Sequence, residues 1–350
     1  MMSTTAFAKA ILAWFDQHGR KHLPWQQDKT PYRVWVSEIM LQQTQVNTVI
    51  PYYERFMQQF PDLTTLAKAD SDSVLHAWAG LGYYSRARNL HRAAQMVRQD
   101  FAGKFPDTLE GLQALPGIGR STAGAILSIA FEQRATIMDG NVKRVLARYL
   151  GITDPVNEKT VENKLWEIAT DFTPKKRSAD YTQAIMDLGA TLCTRSKPDC
   201  ARCPLIKTCR AYADDMTALL PVKKATRAIP TRTATFLILQ NGTHIYLQKR
   251  PPHGIWGGLW SLPEISGTPD NKQIRSFCQS SMHSDATKLT KLAPFRHTFS
   301  HYHLDIHPVL IAITPPAKVM ECTDQIWYNL DEPQAIGLPK PIQLIMRKLA

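Results

Sequence analysis

Apolar residues along the first 213 positions recur at the three- and four-residue spacing of helix faces, broken by short Pro/Gly turns. Near the N-terminus Phe7, Ile11, Leu12, Trp14 and Phe15 form one such stripe, and Lys9 and Asp16 make it an amphipathic helix rather than a signal peptide. Further helices are expected from Thr30-Pro31 (an N-cap followed by proline), from near Ser121, after Asp139-Gly140-Asn141, and over Tyr181 to Leu192. After residue 231 the pattern changes. Residues 233–239 and 244–247 read as strands joined through Asn241-Gly242, a strong hairpin signal, and 299–313 is again strand-rich. The expected organisation is a helical domain over 1–213, a linker over 214–231 with Pro221 and Pro230, and a smaller α+β domain over 232–350.

Composition adds one strong term. The 350 residues carry 42 Lys and Arg against 30 Asp and Glu, a net charge of +12. The excess is spread over both parts, +8 before residue 231 and +4 after it. A chain this basic suits a polyanionic partner, and on charge alone equally a soluble protein that is merely basic. No apolar run reaches the ~18 residues of a membrane span, and the few, locally clustered cysteines argue for a reducing compartment. The expectation is a cytoplasmic monomer with no membrane association.

Three motifs carry chemistry. Cys193, Cys200, Cys203 and Cys209 place four thiols within 17 residues, a set that suits either a zinc ion or an iron–sulfur cluster. Arg195, Lys197, Arg202, Lys207 and Arg210 surround them with positive charge. Leu115-Pro116-Gly117-Ile118-Gly119 precedes a helix; glycines at 117 and 119 allow a tight turn and a close backbone approach to an anion. It is a helix–hairpin–helix pattern that can grip a DNA phosphate without reading bases. Glu38, the only acid in an apolar helical stretch, and Asp139, at a helix start, are two carboxyls that could divide acid and charge-stabilising roles at a glycosidic bond.

Taken together, the hairpin, the Asp about 20 residues later and the four-cysteine loop resemble the endonuclease III superfamily of DNA glycosylases. Ser37-Glu38-Ile39-Met40-Leu41-Gln42-Gln43-Thr44, Gly80-Leu81-Gly82-Tyr83-Tyr84 and Phe299-Ser300-His301 narrow the resemblance to the MutY family of adenine DNA glycosylases. The resemblance implies a mainly α fold, with a two-subdomain helical core, the iron–sulfur loop at 193–209 and a Nudix-like α+β domain. It also implies a [4Fe-4S] cluster and a substrate, duplex DNA with adenine opposite 8-oxoguanine or guanine. By position, Glu38 matches the acid that protonates adenine N7, Asp139 the carboxylate that stabilises the oxocarbenium-like sugar, and Asn141 the residue that orients it. Arg20, Trp25, Gln26 and Gln183 match the adenine pocket; Leu41, Gln43, Thr44, Leu81, Gly82 and Tyr83 match the elements that fill and read the opposite strand. Phe299, Ser300 and His301 match a lesion-reading element, and Gly117 and Gly119 the backbone grip. Ser121 stands where bifunctional relatives carry a lysine, so no Schiff base with the opened sugar is expected there. A bifunctional lyase and a non-catalytic zinc protein are the competing readings. The segment 254–263 resembles the loop before a Nudix box, but 264–290 lacks the glutamate cluster of a magnesium-binding Nudix helix. His297, His301, His303 and His307 read as a polar strand face rather than a zinc site, with 301, 303 and 307 alternating onto one side.

Overall fold

The computed structural model describes residues 3–222, 228–282, 286–313 and 323–349. Cys322 and the linker positions 223–227 lie outside the described residues. The helices are α1 (Thr4–His18), α2 (Pro31–Leu41), α3 (Val46–Gln59), α4 (Leu63–Lys68), α5 (Ser71–Ala77), α6 (Ser85–Asp100) and α7 (Leu109–Gln113). They continue with α8 (Arg120–Ala130), α9 (Gly140–Leu150), α10 (Lys159–Phe172), α11 (Ser178–Thr191), α12 (Arg210–Ala213), α13 (Asn271–Met282) and α14 (Lys340–Met346). The strands are β1 (Thr231–Asn241), β2 (His244–Lys249), β3 (Trp260–Ser261), β4 (Glu264–Ser266), β5 (Ala286–Lys291), β6 (Phe295–Thr298), β7 (His303–Ile313) and β8 (Gln325–Asn329).

Two compact units result, one of residues 1–68 and 89–226, the other of 69–88 and 227–350. The division differs from a contiguous helical domain because residues 69–88 find their partners in the C-terminal part. Asp72 accepts hydrogen bonds from Lys249 Nζ at 3.0 Å and Trp260 Nε1 at 3.1 Å. Arg88 donates to the Gly257 carbonyl at 2.7 Å.

In the first unit, the stripe read from the sequence closes a core. Phe7, Ile11, Leu12 and Phe15 of α1 pack with Val145, Leu146 and Tyr149 of α9 and Ile185 and Leu188 of α11. Trp14 lies at the edge of that cluster, partly buried. Helix α2 packs on α3 and α8; its start is capped as expected, Thr30 accepting from Arg33 N with Pro31 at the first helical position. Helices α7 and α8 form the helix–hairpin–helix. Its two glycines differ in their reason for being there. Gly117 has φ +81°, a left-handed conformation. Gly119 has an ordinary φ of −86° and open space around its α-carbon, so what its lack of a side chain preserves is access from outside. The segment taken as the start of a linker is packed in its first part: Leu220 is buried and its carbonyl accepts from Arg148 Nε at 2.8 Å.

The second unit is a mixed sheet in the order β3-β2-β1-β7-β5, with β1 and β7 parallel over Thr231↔His303 to Gln240↔Ala312. The Asn241-Gly242 hairpin joins β1 to β2, with Gly242 at φ +58°. Helix α13 covers the sheet through Ile274 and Cys278; it carries no carboxylate. The expected single strand face of histidines is corrected. His303 and His307 lie on β7, whereas His301 sits in the turn before it, where Phe299 N donates to the Tyr302 carbonyl at 2.9 Å. Among the described residues, no helix is long and apolar enough to cross a membrane.

Helix α8 meets the extended segment before α9 closely at Gly124, where an added Cβ would collide with the Thr136 carbonyl. Gly124→Ala should therefore lower the unfolding free energy by about 1–3 kcal/mol, measured as a lower denaturant midpoint with unchanged slope.

Candidate active site

Five separate parts of the chain deliver the side chains that face one cavity of about 1640 Å³ in the first unit. Helix α2 and the loop after it supply Glu38, Leu41 and Thr44. The starts of α8 and α9 supply Ser121, Asp139 and Asn141. Arg20, Trp25 and the α11 residue Gln183 close the remaining side. An adjoining cavity of about 730 Å³ shares Trp25, Glu38 and Gln183 and adds Gln26. Of the first-unit residues singled out above, Gln43 does not line either cavity. It is exposed at a loop position with φ +57°.

The two carboxyls are in unequal surroundings. Glu38 is half-buried and lines both cavities, beside Trp25, Val34 and Ile129 in the second of them, while its chain neighbours Val36, Ile39 and Met40 are buried. Burial pushes its carboxyl up to about 8, and the nearby Asp139 adds to the rise. Burial also pushes Asp139 upward, but donors oppose the shift. Its Oδ1 accepts from Asn141 N at 2.9 Å and Val142 N at 2.8 Å, and its Oδ2 from Asn141 Nδ2 at 2.9 Å. These bonds make it the N-cap of α9, the ordinary role for an Asp at a helix start, and they also hold the charged form. Where two such groups share a cavity, a proton settles on the member with fewer donors, which among the described residues is Glu38.

Residues not singled out from the sequence fix this arrangement. Arg144, one turn into α9, donates through Nη2 to Asn141 Oδ1 at 2.8 Å and to the Gly189 carbonyl at 2.6 Å, and through Nε to the Cys193 carbonyl at 2.7 Å. Gly189 has no room for a side chain, since a Cβ would fall 2.6 Å from Asn141 Cβ. Asp187, fully buried on α11, pairs with Arg20 and accepts from Gln183; its spacing of four residues from Gln183 was the available signal. Ser121 turns its hydroxyl to the backbone, accepting from Met138 N at 3.0 Å. The Trp25 ring is buried and meets Tyr53 edge-on at 5.4 Å. Gln26 Nε2 is buried and, among the described residues, unpartnered.

The four cysteines of the loop line a single, largely apolar cavity with Val145, Leu188 and Leu205. Arg148 Nη1 lies 3.4 Å from Cys193 Sγ, and the Cys209 thiol faces the Arg148 carbonyl at 3.6 Å. Among the described residues no group of three or more His, Cys, Asp or Glu side chains is closed onto one metal-ion position. The five basic residues of the loop are all exposed.

In the second unit, Gly82 and Tyr83 line a cavity of about 1070 Å³ with Phe299, Ser300 and His301. Tyr83 is 46% exposed with φ +48°. Leu81 is in the core instead. Phe299 stacks on Tyr302 at 4.6 Å and packs against Trp256 at 5.2 Å, so the groups the turn presents outward are Ser300 and His301.

Comparison with known proteins matches residues 36–170 to the HhH-GPD superfamily of base excision DNA repair proteins and 234–348 to the NUDIX domain. The adenine DNA glycosylase of Buchnera aphidicola subsp. Baizongia pistaciae is 43% identical over 349 residues, 99% of this chain and 98% of that one. That of Buchnera aphidicola subsp. Acyrthosiphon pisum is 40% identical over 346 residues, again 99% and 98%. Among solved structures, a thermostable thymine-DNA glycosylase superposes with TM-score 0.55 at 28% identity, covering 60% of this chain and 97% of that one. With the helix–hairpin–helix core, the Nudix-like sheet and an identity sustained from end to end, the chain belongs to the adenine DNA glycosylase family.

Proposed function

We propose that this protein is a monofunctional base-excision-repair glycosylase that hydrolyses the N-glycosidic bond of adenine opposite 8-oxoguanine or guanine in duplex DNA. The observation that carries the reading is the pairing of Glu38 and Asp139 across one cavity, one carboxyl holding its proton near neutral pH and the other held by three N–H donors. A protonated Glu38 donates to N7 of a flipped adenine and turns the base into a neutral leaving group. The Asp139 carboxylate then stabilises the positive sugar, and Asn141, locked by Arg144, keeps it in register. Trp25 supplies an apolar wall and Gln26 an unspent donor. The exposed first turn of α8, opened by Gly119, and the loop of Arg195, Lys197 and Lys207 suit phosphates. Ser121 presents a hydroxyl already engaged by Met138 N, and an amine for Schiff-base chemistry is missing at that position.

The donor set of Cys193, Cys200, Cys203 and Cys209 fits a [4Fe-4S] cluster: four soft sulfurs around an apolar cavity, where burial pushes up the thiols of Cys200, Cys203 (to about 12) and Cys209, which a cationic centre would draw down. Such a cluster would hold the basic loop in shape for DNA. The second unit offers Ser300, a hydrogen-bonding hydroxyl, beside Tyr83 and His301 for reading the base opposite adenine.

Incubation with duplexes holding adenine opposite 8-oxoguanine, guanine and thymine tests the reading. Abasic sites in the first two, without direct strand breaks, are expected; nicks formed together with base loss would make the enzyme a lyase instead. Glu38→Gln and Asp139→Asn should each lower single-turnover excision by about 10²–10⁴-fold while mismatch binding persists. Because the Glu38 carboxyl acts protonated and titrates near 8, the parental rate should fall as pH rises through that value. A rate flat to pH 9.5 would remove Glu38 as the proton source. Purified protein should carry a visible absorption band and acid-labile sulfide, both lost in Cys200→Ala; colourless protein loaded with zinc would exclude the cluster.

A further inference from the structure

Asp187 has no exposed area, and four donors converge on its carboxylate. They are the Arg20 backbone N at 2.8 Å, Arg20 Nε at 3.0 Å, Arg20 Nη2 at 2.7 Å and Gln183 Nε2 at 2.9 Å. A carboxylate offers acceptors only, so it dictates which end of the Gln183 amide turns toward it. Asp187 takes one of the two N–H groups of the NH2 end and holds that end on its own side. The other end, Oε1, accepts no hydrogen bond from the described residues, and Gln183 lines both cavities that Glu38 faces. What Gln183 offers an occupant is therefore an acceptor. Without Asp187 the amide could rotate by half a turn and offer a donor at the same place.

We propose that Asp187 is a positioning residue that sets base specificity, fixing Gln183 as an acceptor so that the cavity takes a purine with an amino group at C6 and rejects one with an oxo group there. The proposal rests on the reading of the cavity as a purine pocket. A 6-amino group donates to Gln183 Oε1. A 6-oxo group would set acceptor against acceptor, and in a site shielded from water neither finds a substitute partner. Adenine and hypoxanthine separate this edge from the proton transfer, because both have N7 for Glu38 and differ at C6 and at N1, which is an acceptor in adenine and a donor in hypoxanthine.

The test is single-turnover excision of adenine and of hypoxanthine, each opposite 8-oxoguanine, by the full chain and by Asp187→Asn, Gln183→Leu and the double variant. Asp187→Asn should lower the adenine-to-hypoxanthine rate ratio by about tenfold or more, as should Gln183→Leu, which removes the acceptor. The double variant should show no further loss of ratio than Gln183→Leu, since Asp187 acts through Gln183. If Asp187→Asn slowed both bases equally with the ratio intact, Asp187 would be a structural ion-pair partner of Arg20 and the proposal would fail. Should Asp187→Asn not fold, as judged by its thermal melt, Gln183→Leu decides: an unchanged ratio overturns the proposal. A parent that removes neither base would overturn the purine-pocket reading itself, a failure distinct from a parent that excises adenine but shows no change of ratio in the variants.

Discussion

A carboxylate enclosed in protein stays charged only if donors replace the water it has lost, and in this protein Asp139 receives them from the first turn of the helix it caps. That requirement organises the first unit. The donors come from a helix start, so α9 must begin at the cavity. Asn141, which supplies the side-chain donor, must be held, and Arg144 holds it from one turn along the same helix. Arg144 in turn bonds the carbonyls of Gly189 and Cys193, so α11 and the beginning of the cysteine loop are tied to the same few atoms. Gly189 is the steric half of the arrangement, since only a residue without Cβ lets α11 reach Asn141.

Glu38 shows the opposite solution to the same problem. No described residue donates to it, and burial raises its carboxyl instead. Two carboxyls in one cavity thus meet different surroundings, set by the number of N–H groups aimed at each. The same accounting applies at Asp187, whose charge is met by Arg20 and Gln183 and whose demand for donors orients both.

The second unit is organised by aromatic packing around a turn. Phe299 is clamped by Trp256, His297 and Tyr302, and this anchors the turn that exposes Ser300 and His301. Trp256 itself holds a left-handed backbone, φ +54°, an uncommon conformation for a bulky residue that its packing against Phe236 and Phe299 sustains. Residues 69–88 belong to this unit through Asp72 and Arg88 although they lie in the helical half of the sequence.

The sequence by itself determined the elements and much of the site. The stripe of Phe7, Ile11, Leu12 and Phe15, the Thr30-Pro31 helix start, the Asp139 cap and the Asn241-Gly242 turn are local, and each formed where its pattern indicated because capping, turn chemistry and amphipathic periodicity act over a few residues. The motif around Glu38 and the spacing of the four cysteines were equally legible, and the structure brings each group to one cavity. Only the tertiary structure decided that Leu81 is core, that His301 leaves the strand face, that residues 69–88 join the second unit, and that Arg144, Asp187 and Gly189 position the site. For residues 69–88, Arg144 and Asp187 the reason is common. Their roles rest on partners 45 to 177 residues away, as for Arg144 with Gly189, Asp187 with Arg20 and Asp72 with Lys249, and neither the depth of burial nor the supply of donors at a side chain is written in its neighbours along the chain.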